Sequence, residues 1–380
     1  MNNHLIYVTN YHNNNVSIID TFTNAEIETI EVGNGPHDIV LTPDALHAYV
    51  TNKNSNSISV INTTSNTVID NIYGVNGGRN FATSDNFTYL YIIGKYHLYI
   101  LEVATNTIIE TIYVGLAHNI AITPDETLAY IAISGGGVIV VDLTNYIIVD
   151  TIHGSLPDDV AITPDGSHAY ITWFGWNAVG IIDINDNNNV IGYITFPSEP
   201  HNIVISKDGK FAYTTLPNIN SVYVIDLTKK IIKSIIPTGE HPYSITINNS
   251  GTKAYVTNRV SYSISVLDLE NNTKVKDIVL SSSPFYVAIL ELPLIKRIKD
   301  LILEIQSLVE NKILNKGQGN SLIVKLEHAI LQLQKGKEHT ATNMVSAFIN
   351  EIEAYIYNGI LSGPIPQQMI LEAQDIVKLI

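Results

Sequence analysis

Along the first 290 residues the apolar positions come in short runs that alternate at period two. Ile58-Ser59-Val60-Ile61 and Ala48-Tyr49-Val50-Thr51-Asn52 are representative, and Asn, Asp, Pro or Gly bounds each run. That pattern predicts strands with a turn at every end. The runs recur as a unit: Tyr7, Tyr49, Tyr91, Tyr130, Tyr170, Tyr213 and Tyr255 occupy the same place in successive copies, and subtraction gives spacings of 42, 42, 39, 40, 43 and 42 residues. A period of about 40 to 45 residues is that of a four-stranded propeller blade. In the second copy Ile39-Val40-Leu41 reads as a buried strand, Thr42-Pro43-Asp44 as a turn, and Ala48 to Asn52 and Ile58 to Ile61 as the next two strands. The stretch Thr67-Val68-Ile69-Asp70-Asn71-Ile72 closes the unit before Gly74.

The first unit starts at the Tyr7 strand and lacks the opening strand of the others, whereas Ser283-Pro284-Phe285-Tyr286-Val287-Ala288-Ile289 matches Gly35-Pro36-His37-Asp38-Ile39-Val40-Leu41 with no tyrosine strand after it. Residues 284–290 are therefore expected to join the first blade and close the ring, which removes exposed strand edges. The third unit departs most, with Ala82-Thr83-Ser84-Asp85 in place of Thr-Pro-Asp and Ile92-Ile93-Gly94-Lys95 in place of Val-Thr-Asn.

Alternation stops near Leu290-Glu291-Leu292-Pro293. Ile298, Leu301, Ile302, Ile305, Leu308, Val309 and Ile313 then recur at helical spacing. Three further stripes follow: Leu322, Leu326, Ala329, Ile330 and Leu333; then Met344, Ala347, Phe348, Ile352, Tyr355 and Ile356; then Met369, Ile370, Ala373, Ile376 and Val377 behind Pro366. Each stripe is too small to fold alone, so four helices are expected to share one core over residues 294–380. The fold class is an all-β seven-bladed propeller over residues 1–290 followed by a small all-α four-helix domain.

The segments Tyr7-Val8-Thr9-Asn10, Ala48-Tyr49-Val50-Thr51-Asn52 and Ala254-Tyr255-Val256-Thr257-Asn258 resemble the signature of the YVTN-repeat β-propeller family. The Thr-Pro-Asp turns at Thr42, Thr123 and Thr163 and the Ile-Asp-type endings at Asp20, Asp142, Asp183, Asp226 and Asp268, with Val141 and Leu267 in place of Ile before two of them, extend that likeness. Residues 294–380 resemble the FIMAH domain through Asn315-Lys316-Gly317, Asn320-Ser321-Leu322, Lys325-Leu326, Ala347-Phe348-Ile349-Asn350-Glu351-Ile352 and the ending from Gln374 to Ile380. The two resemblances imply a bacterial surface or secreted protein and an accessory role for the helices; a fold of this kind does not fix an activity.

Charge narrows the partners. Residues 1–290 hold 12 Lys+Arg and 26 Asp+Glu, a net of −14, while the remainder holds 9 and 10, a net of −1. Such a ring repels phosphate backbones, so no nucleic acid is expected as a partner. No apolar run is long enough for membrane insertion, and Met1-Asn2-Asn3-His4-Leu5 runs into blade sequence without the basic segment and apolar stretch of a secretory signal. A cell-surface or extracellular location then implies a mature form or an unconventional route, with cytoplasmic and spore-associated locations as alternatives. The chain has no cysteine, which removes disulfides, thiolate metal sites and Cys nucleophiles.

Antiparallel order puts the loops entering the inner strands and the loops between second and third strands at one end of the ring. Aligning the units on the Pro-Asp turn collects His37, Gly78, His118, Asp158, His201, Tyr243 and Phe285 at the channel mouth, followed by Asp38, Arg79, Asn119, Asp159, Asn202, Ser244 and Tyr286. The ligand-binding candidates are His37, Asp38, Arg79, His118, Asn119, Asp158, Asp159, His201, Tyr243 and Phe285. Imidazoles and carboxylates together suit a divalent metal, and whether the mouth binds one is left open. No cofactor is expected. The loop Trp173-Phe174-Gly175-Trp176-Asn177 carries both tryptophans; Trp173 suits packing between blades, and Phe174 and Trp176 suit an aromatic platform.

Other motifs fall away. Asp183-Ile184-Asn185-Asp186-Asn187 lacks the Gly and Glu of a calcium loop, with Asn188 and Ile194 in their places. Gly135-Gly136-Gly137 has no Lys-Ser/Thr pair or helix behind it, and no Gly-x-Ser-x-Gly elbow occurs. The anchor tyrosines are expected to pack the blades and the Ile-Asp aspartates to cap turns. The resulting expectation is a non-catalytic binding or surface-structural protein, with a protein or cell-surface glycan as partner, an anchoring or interaction role for the helices, and self-association through residues 294–380 as a further reading. The alternative is a metal-assisted hydrolase of lactonase type, with Asp158 or Asp159 activating water at the mouth.

Overall fold

The structure is a computed structural model that describes residues 5–84 and 86–380. The opening residues Met1 to His4 and Asp85 of the third-unit turn lie outside the described residues. The chain divides into two units, Leu5–Ile289 and, from Leu290, the helical segment.

The first unit holds seven four-stranded antiparallel sheets, numbered here as blades 1 to 7 in chain order. Blade 1 is built from both ends of the unit: Leu5–Asn10, Asn15–Asp20 and Ala25–Glu31 are joined by Val287–Ile289. The closing strand pairs with Leu5–Asn10 through Ile6↔Ile289, Tyr7↔Ala288 and Val8↔Val287. Two further backbone bonds, Thr9 N–H to Tyr286 O at 3.0 Å and Phe285 N–H to Thr9 O at 2.8 Å, continue the pairing upstream.

Burial follows the blade's layering. Leu5–Asn10 is buried at every position because its two faces lie against different blades, whereas the outer strand Ala25–Glu31 is largely exposed. The apolar clusters accordingly sit between blades. Tyr91, Ile93 and Leu98 of blade 3 pack with Ile120, Ala129 and Ile131 of blade 4, and Val8 and Ile19 of blade 1 pack with Tyr255, Ile264 and Val266 of blade 7. Fully burying an aliphatic side chain contributes roughly 1.5–3 kcal/mol, so the interfaces carry the ring.

Local chemistry explains the repeated residues. Tyr7 Oη donates to Asn66 Oδ1 at 2.9 Å and Tyr49 Oη to Asn106 Oδ1 at 3.0 Å, each reaching the outer turn of the next blade. Asn66 and Asn106 have φ of 52° and 53°, as do Asn14, Asn24, Asn56, Asn220 and Asn272 at about the same value. Asn tolerates this left-handed region better than most residues, which accounts for the Asn-rich turns. The strand-ending aspartates cap those turns: Asp20 Oδ1 accepts from Phe22 N–H at 2.7 Å, and Asp142 Oδ1 accepts from Thr144 N–H at 2.7 Å. The Asp183 segment is one more such turn, with Asn185 N–H donating to Asp183 Oδ1 at 3.0 Å.

The second unit contains α1 (Leu294–Glu310), α2 (Lys316–Gln334), α3 (Glu338–Tyr357) and α4 (Pro364–Leu379). Asn315 and Gln318 form a reciprocal capping box at the start of α2. Ile298, Leu301, Ile305, Leu322, Leu326, Phe348, Ile352, Met369 and Ile376 make one core. Ile313 departs from its expected place: α1 ends at Glu310 and Ile313 is 49% exposed. No helix among the described residues is long and apolar enough to cross a membrane.

Candidate functional site

The channel mouth is assembled by backbone register. In blade 2, Ile39 pairs with Val50; in blade 3, Phe81 pairs with Ile92; in blade 5, Val160 pairs with Ile171. The residue before each of these positions forms an inner tier of Asp38, Asn80, Asn119, Asp159, Asn202, Ser244 and Tyr286. The residue before that forms an outer tier of His37, Arg79, His118, Asp158, His201, Tyr243 and Phe285.

This corrects the turn-based alignment in blade 3. Arg79 belongs beside His37, Asn80 is the inner-tier residue, and Gly78 falls outside both tiers. The turn there is Ser84 with Asn86: Ser84 Oγ donates to Asn86 Oδ1 at 3.1 Å and Thr88 N–H to the same oxygen at 3.0 Å. Thr42 and Asp44 do the same in blade 2, at 2.5 Å and with Leu46 N–H at 3.0 Å. Asn86 thus takes the part of the aspartate.

In five of the seven blades a threonine two residues after the anchor tyrosine ties the tiers of neighbouring blades together, while Ile93 and Ala132 take that place in blades 3 and 4. Thr172 Oγ1 accepts from Asp159 N–H at 2.8 Å and donates to His201 O in the next blade at 2.8 Å. Thr215 does so for Asn202 and Tyr243, and Thr257 for Ser244 and Phe285. Thr51 links Asp38 N–H and Arg79 O, and Thr9 links Tyr286 N–H and His37 O.

The inner tier is largely a belt of amide donors on two carboxylates. Asp159 accepts from Asn119 Nδ2, from Asn202 Nδ2 at 2.5 Å and from the Ile203 and Val160 N–H groups at 2.8 Å each. Asp38 accepts from Phe81 N–H at 2.9 Å and Ile39 N–H at 2.8 Å. Burial pushes both carboxyls up to about 7, opposed by these donors.

The outer tier splits into two sides. Asp158 bridges two imidazoles, 3.1 Å from His201 Nε2 and 3.7 Å from His118 Nδ1. His118 Nε2 touches Ser134 Oγ, and Arg79 Nη1 lies 3.4 Å from His118 Nδ1. Opposite, Phe285 stacks on Tyr11 at 5.0 Å and meets Tyr243 at 4.7 Å, with His37 5.2 Å away. The Arg259 guanidinium covers Phe285 and Tyr243 at 4.3 and 4.8 Å from their ring centres. Burial first, then Lys53, Arg79, His201 and Arg259, hold His37 well below the usual imidazole range.

His37, Arg79, His118, Asn119, Asp158, Asp159, His201 and Tyr243 line a polar cavity of about 20 Å³, room for one or two waters. Asp38 lies buried beside it and Phe285 in the aromatic wall. Among the described residues no three His, Cys, Asp or Glu side chains are placed to hold a metal ion. Phe174 and Trp176 stand apart from the cavity, on the rim of the same end, where Phe174 N–H donates to Leu156 O at 3.0 Å. They are 45% and 46% exposed, while Trp173 beneath them is 1% exposed. Trp176 leans on Trp173 at 5.2 Å and on the Tyr193 edge at 5.7 Å.

Sequence reasoning missed Asn80, Arg259, Lys53, Tyr11 and Ser134 as parts of the mouth. Counting 12 residues back from each anchor tyrosine would have placed Arg79 and hence Asn80; the other four sit in second-to-third-strand loops with no repeat signal.

The profile of the YNCE-like beta-propellers matches residues 2–293, and the chain belongs to that family. No curated protein sequence matches it. Among solved structures it is similar to a functionally unknown protein from Desulfotomaculum acetoxidans DSM 771, with a TM-score of 0.68 at 18% identity over 76% of this chain and 100% of that one. It is also similar to Kuenenia stuttgartiensis hydrazine synthase, with a TM-score of 0.60 at 19% identity over 66% and 88%. A third likeness is to the dihydro-heme d1 dehydrogenase NirN in complex with DHE, with a TM-score of 0.60 at 13% identity over 76% of each. At these identities the likeness concerns the fold alone.

Proposed function

We propose that this chain is a non-catalytic binding protein of the bacterial surface, which takes a protein or glycan partner on the end of the ring that holds the channel mouth. The helical unit, read as a FIMAH-like module, serves as its anchoring or interaction domain. The observation that carries the reading is the pair of exposed aromatic rings, Phe174 and Trp176, the second leaning on the buried Trp173, on the same end as the polar cavity. An exposed aromatic pair on the end that also holds convergent polar groups is the make-up of a recognition surface.

Hydrolysis has less support. Ser134, His118 and Asp158 stand in the order of a nucleophile, a base and an orienting acid. A guanidinium only donates, however, so Arg79 at 3.4 Å favours a bare His118 Nδ1 with the proton on Nε2. That tautomer faces Ser134 with a proton and has no lone pair with which to activate it. The metal-assisted variant needs a ligand set, and Asp158 is already engaged by His201 Nε2 at 3.1 Å.

The test is binding of the labelled full chain to isolated cell-wall glycan and to purified surface proteins. The Phe174→Ser/Trp176→Ser variant should bind at least about tenfold more weakly, since such contacts carry much of the energy of a binding face. Equal binding by both proteins, or none by either, overturns the reading.

A further inference from the structure

Arginine is distributed unevenly over this acidic ring. Residues 1–290 contain two arginines, Arg79 and Arg259, and both stand at the channel mouth, one lining the cavity and one above its aromatic wall. Lys53 is near enough to Arg79 that burial and that neighbour lower its pKa. Against these cations the outer tier offers one carboxylate, Asp158, which faces His118 and His201. Burial pushes the Asp38 and Asp159 carboxyls below up to about 7. The mouth is a cationic spot in a ring of net charge −14.

Two guanidinium donors and two imidazole nitrogens there are also unspent. Arg79 Nε, Arg259 Nε, His37 Nδ1 and His201 Nδ1 are buried and have no hydrogen-bond partner among the described residues. Neither arginine has an ion pair among those residues, and His37, which lines the cavity, is 6% exposed. Folded proteins rarely leave such groups unmade, because a buried donor without an acceptor carries its full desolvation cost. An acceptor brought from outside would remove that cost.

We infer that the channel mouth binds a small carboxylate, held between Arg79 and Arg259 with His37 as a further donor. The cavity's room for one or two waters is room for the two oxygens of a carboxylate, and guanidinium groups recognise that group through paired N–H donors. A dianionic phosphate fits less well, since Asp158 faces the same space and repels the second charge more strongly. The wall of Tyr11, Phe285 and Tyr243 would lie along an apolar or ring-shaped body attached to the carboxylate. This inference rests on the binding reading above and names the chemistry its cavity takes.

Calorimetric titration of the full chain with sodium acetate, sodium glucuronate and sodium phosphate, each against sodium chloride at matched ionic strength, tests it. Saturable binding of acetate and glucuronate, tighter for glucuronate, is expected. It should weaken at least about tenfold in Arg79→Gln and in Arg259→Gln and persist in Phe174→Ser/Trp176→Ser. A glucuronate advantage assigns the site to a carboxylate on a sugar, and equal affinities assign it to a free small acid. If an arginine variant does not fold, the other variant and a carboxylate-specific rise in wild-type melting temperature decide the matter. No saturable carboxylate binding, tighter phosphate binding, or binding untouched by both substitutions overturns the assignment. Loss of glycan and protein binding with carboxylate binding intact would instead sink the surface-recognition reading alone.

Discussion

The hydroxyl of Thr9 donates to the carbonyl oxygen of His37 at 2.8 Å, across the boundary between the first two blades. The Thr9 hydroxyl oxygen in turn accepts from Tyr286 N–H at 3.0 Å, so one fully buried side chain ties together three strands, including the one that closes the ring. Thr9→Val keeps the shape and removes both bonds. A loss of about 1–3 kcal/mol in unfolding free energy is expected, because Tyr286 N–H is left buried and unpaired. Urea denaturation of the two proteins measures it, and a change within error would show that the staple contributes nothing.

Asp159 gives the ring a pH dependence of known sign. Its folded-state value near 7 lies above that of an unfolded aspartate, so folding takes up a proton between about pH 4 and 7. Stability from this group is present at the acid side and is lost as pH rises through about 7. Asp159→Asn has no such proton, and Asp38 and His37 are common to both proteins. The stability of wild type relative to the variant should fall from pH 5 to pH 8, by about 1.4 kcal/mol per pH unit while only the folded site is protonated. A difference that grows with pH would reverse the conclusion.

Gly154 is set by contact. A Cβ there would fall 2.1 Å from the ring of Trp173, which is 1% exposed. Gly154→Ala should cost about 1–3 kcal/mol through overpacking and shift the tryptophan emission. Phe174→Ser, one residue beyond that tryptophan and exposed, should stay within about 0.5 kcal/mol of wild type. Thermal unfolding of both variants separates the two cases.

In the helical unit, Arg297 Nε donates to Glu372 Oε1 at 2.5 Å, with side chains 8% and 0% exposed. Glu372→Ala strands a buried guanidinium and should cost about 3–5 kcal/mol, read as earlier loss of the helical circular-dichroism signal. Arg297→Met/Glu372→Leu should recover most of that loss, since a well-packed apolar pair needs no partner. A double variant no better than the single one would mean that the ion pair itself specifies the helix packing.

Chain closure makes a sharper forecast. A protein ending at residue 283 lacks the strand that pairs with Leu5–Asn10, whereas one ending at residue 290 retains it. The shorter protein should lose cooperative thermal unfolding and the longer one should keep it. Cooperative melting of the shorter form would show that the closing strand is dispensable.

The repeat period and the missing first strand made the ring legible, because each blade must present the same apolar pattern to two neighbours. Arg79 was found but set one place off, since the sequence Thr83-Ser84-Asp85 imitates a Thr-Pro-Asp turn that the chain actually makes with Ser84 and Asn86. Arg259, Lys53 and Tyr11 stayed hidden for another reason. Their loops face each other only once seven blades are arranged in a circle, and no local pattern records what lies across a channel.

Building blade 1 from both ends also bears on synthesis. Leu5–Asn10 leaves the ribosome about 280 residues before its partner Val287–Ile289. At about 5–20 residues per second, the nascent chain carries an unsatisfied strand for roughly 15–60 s. Through that interval it is a template for wrong pairing, and the cell must shelter it until translation delivers the missing edge.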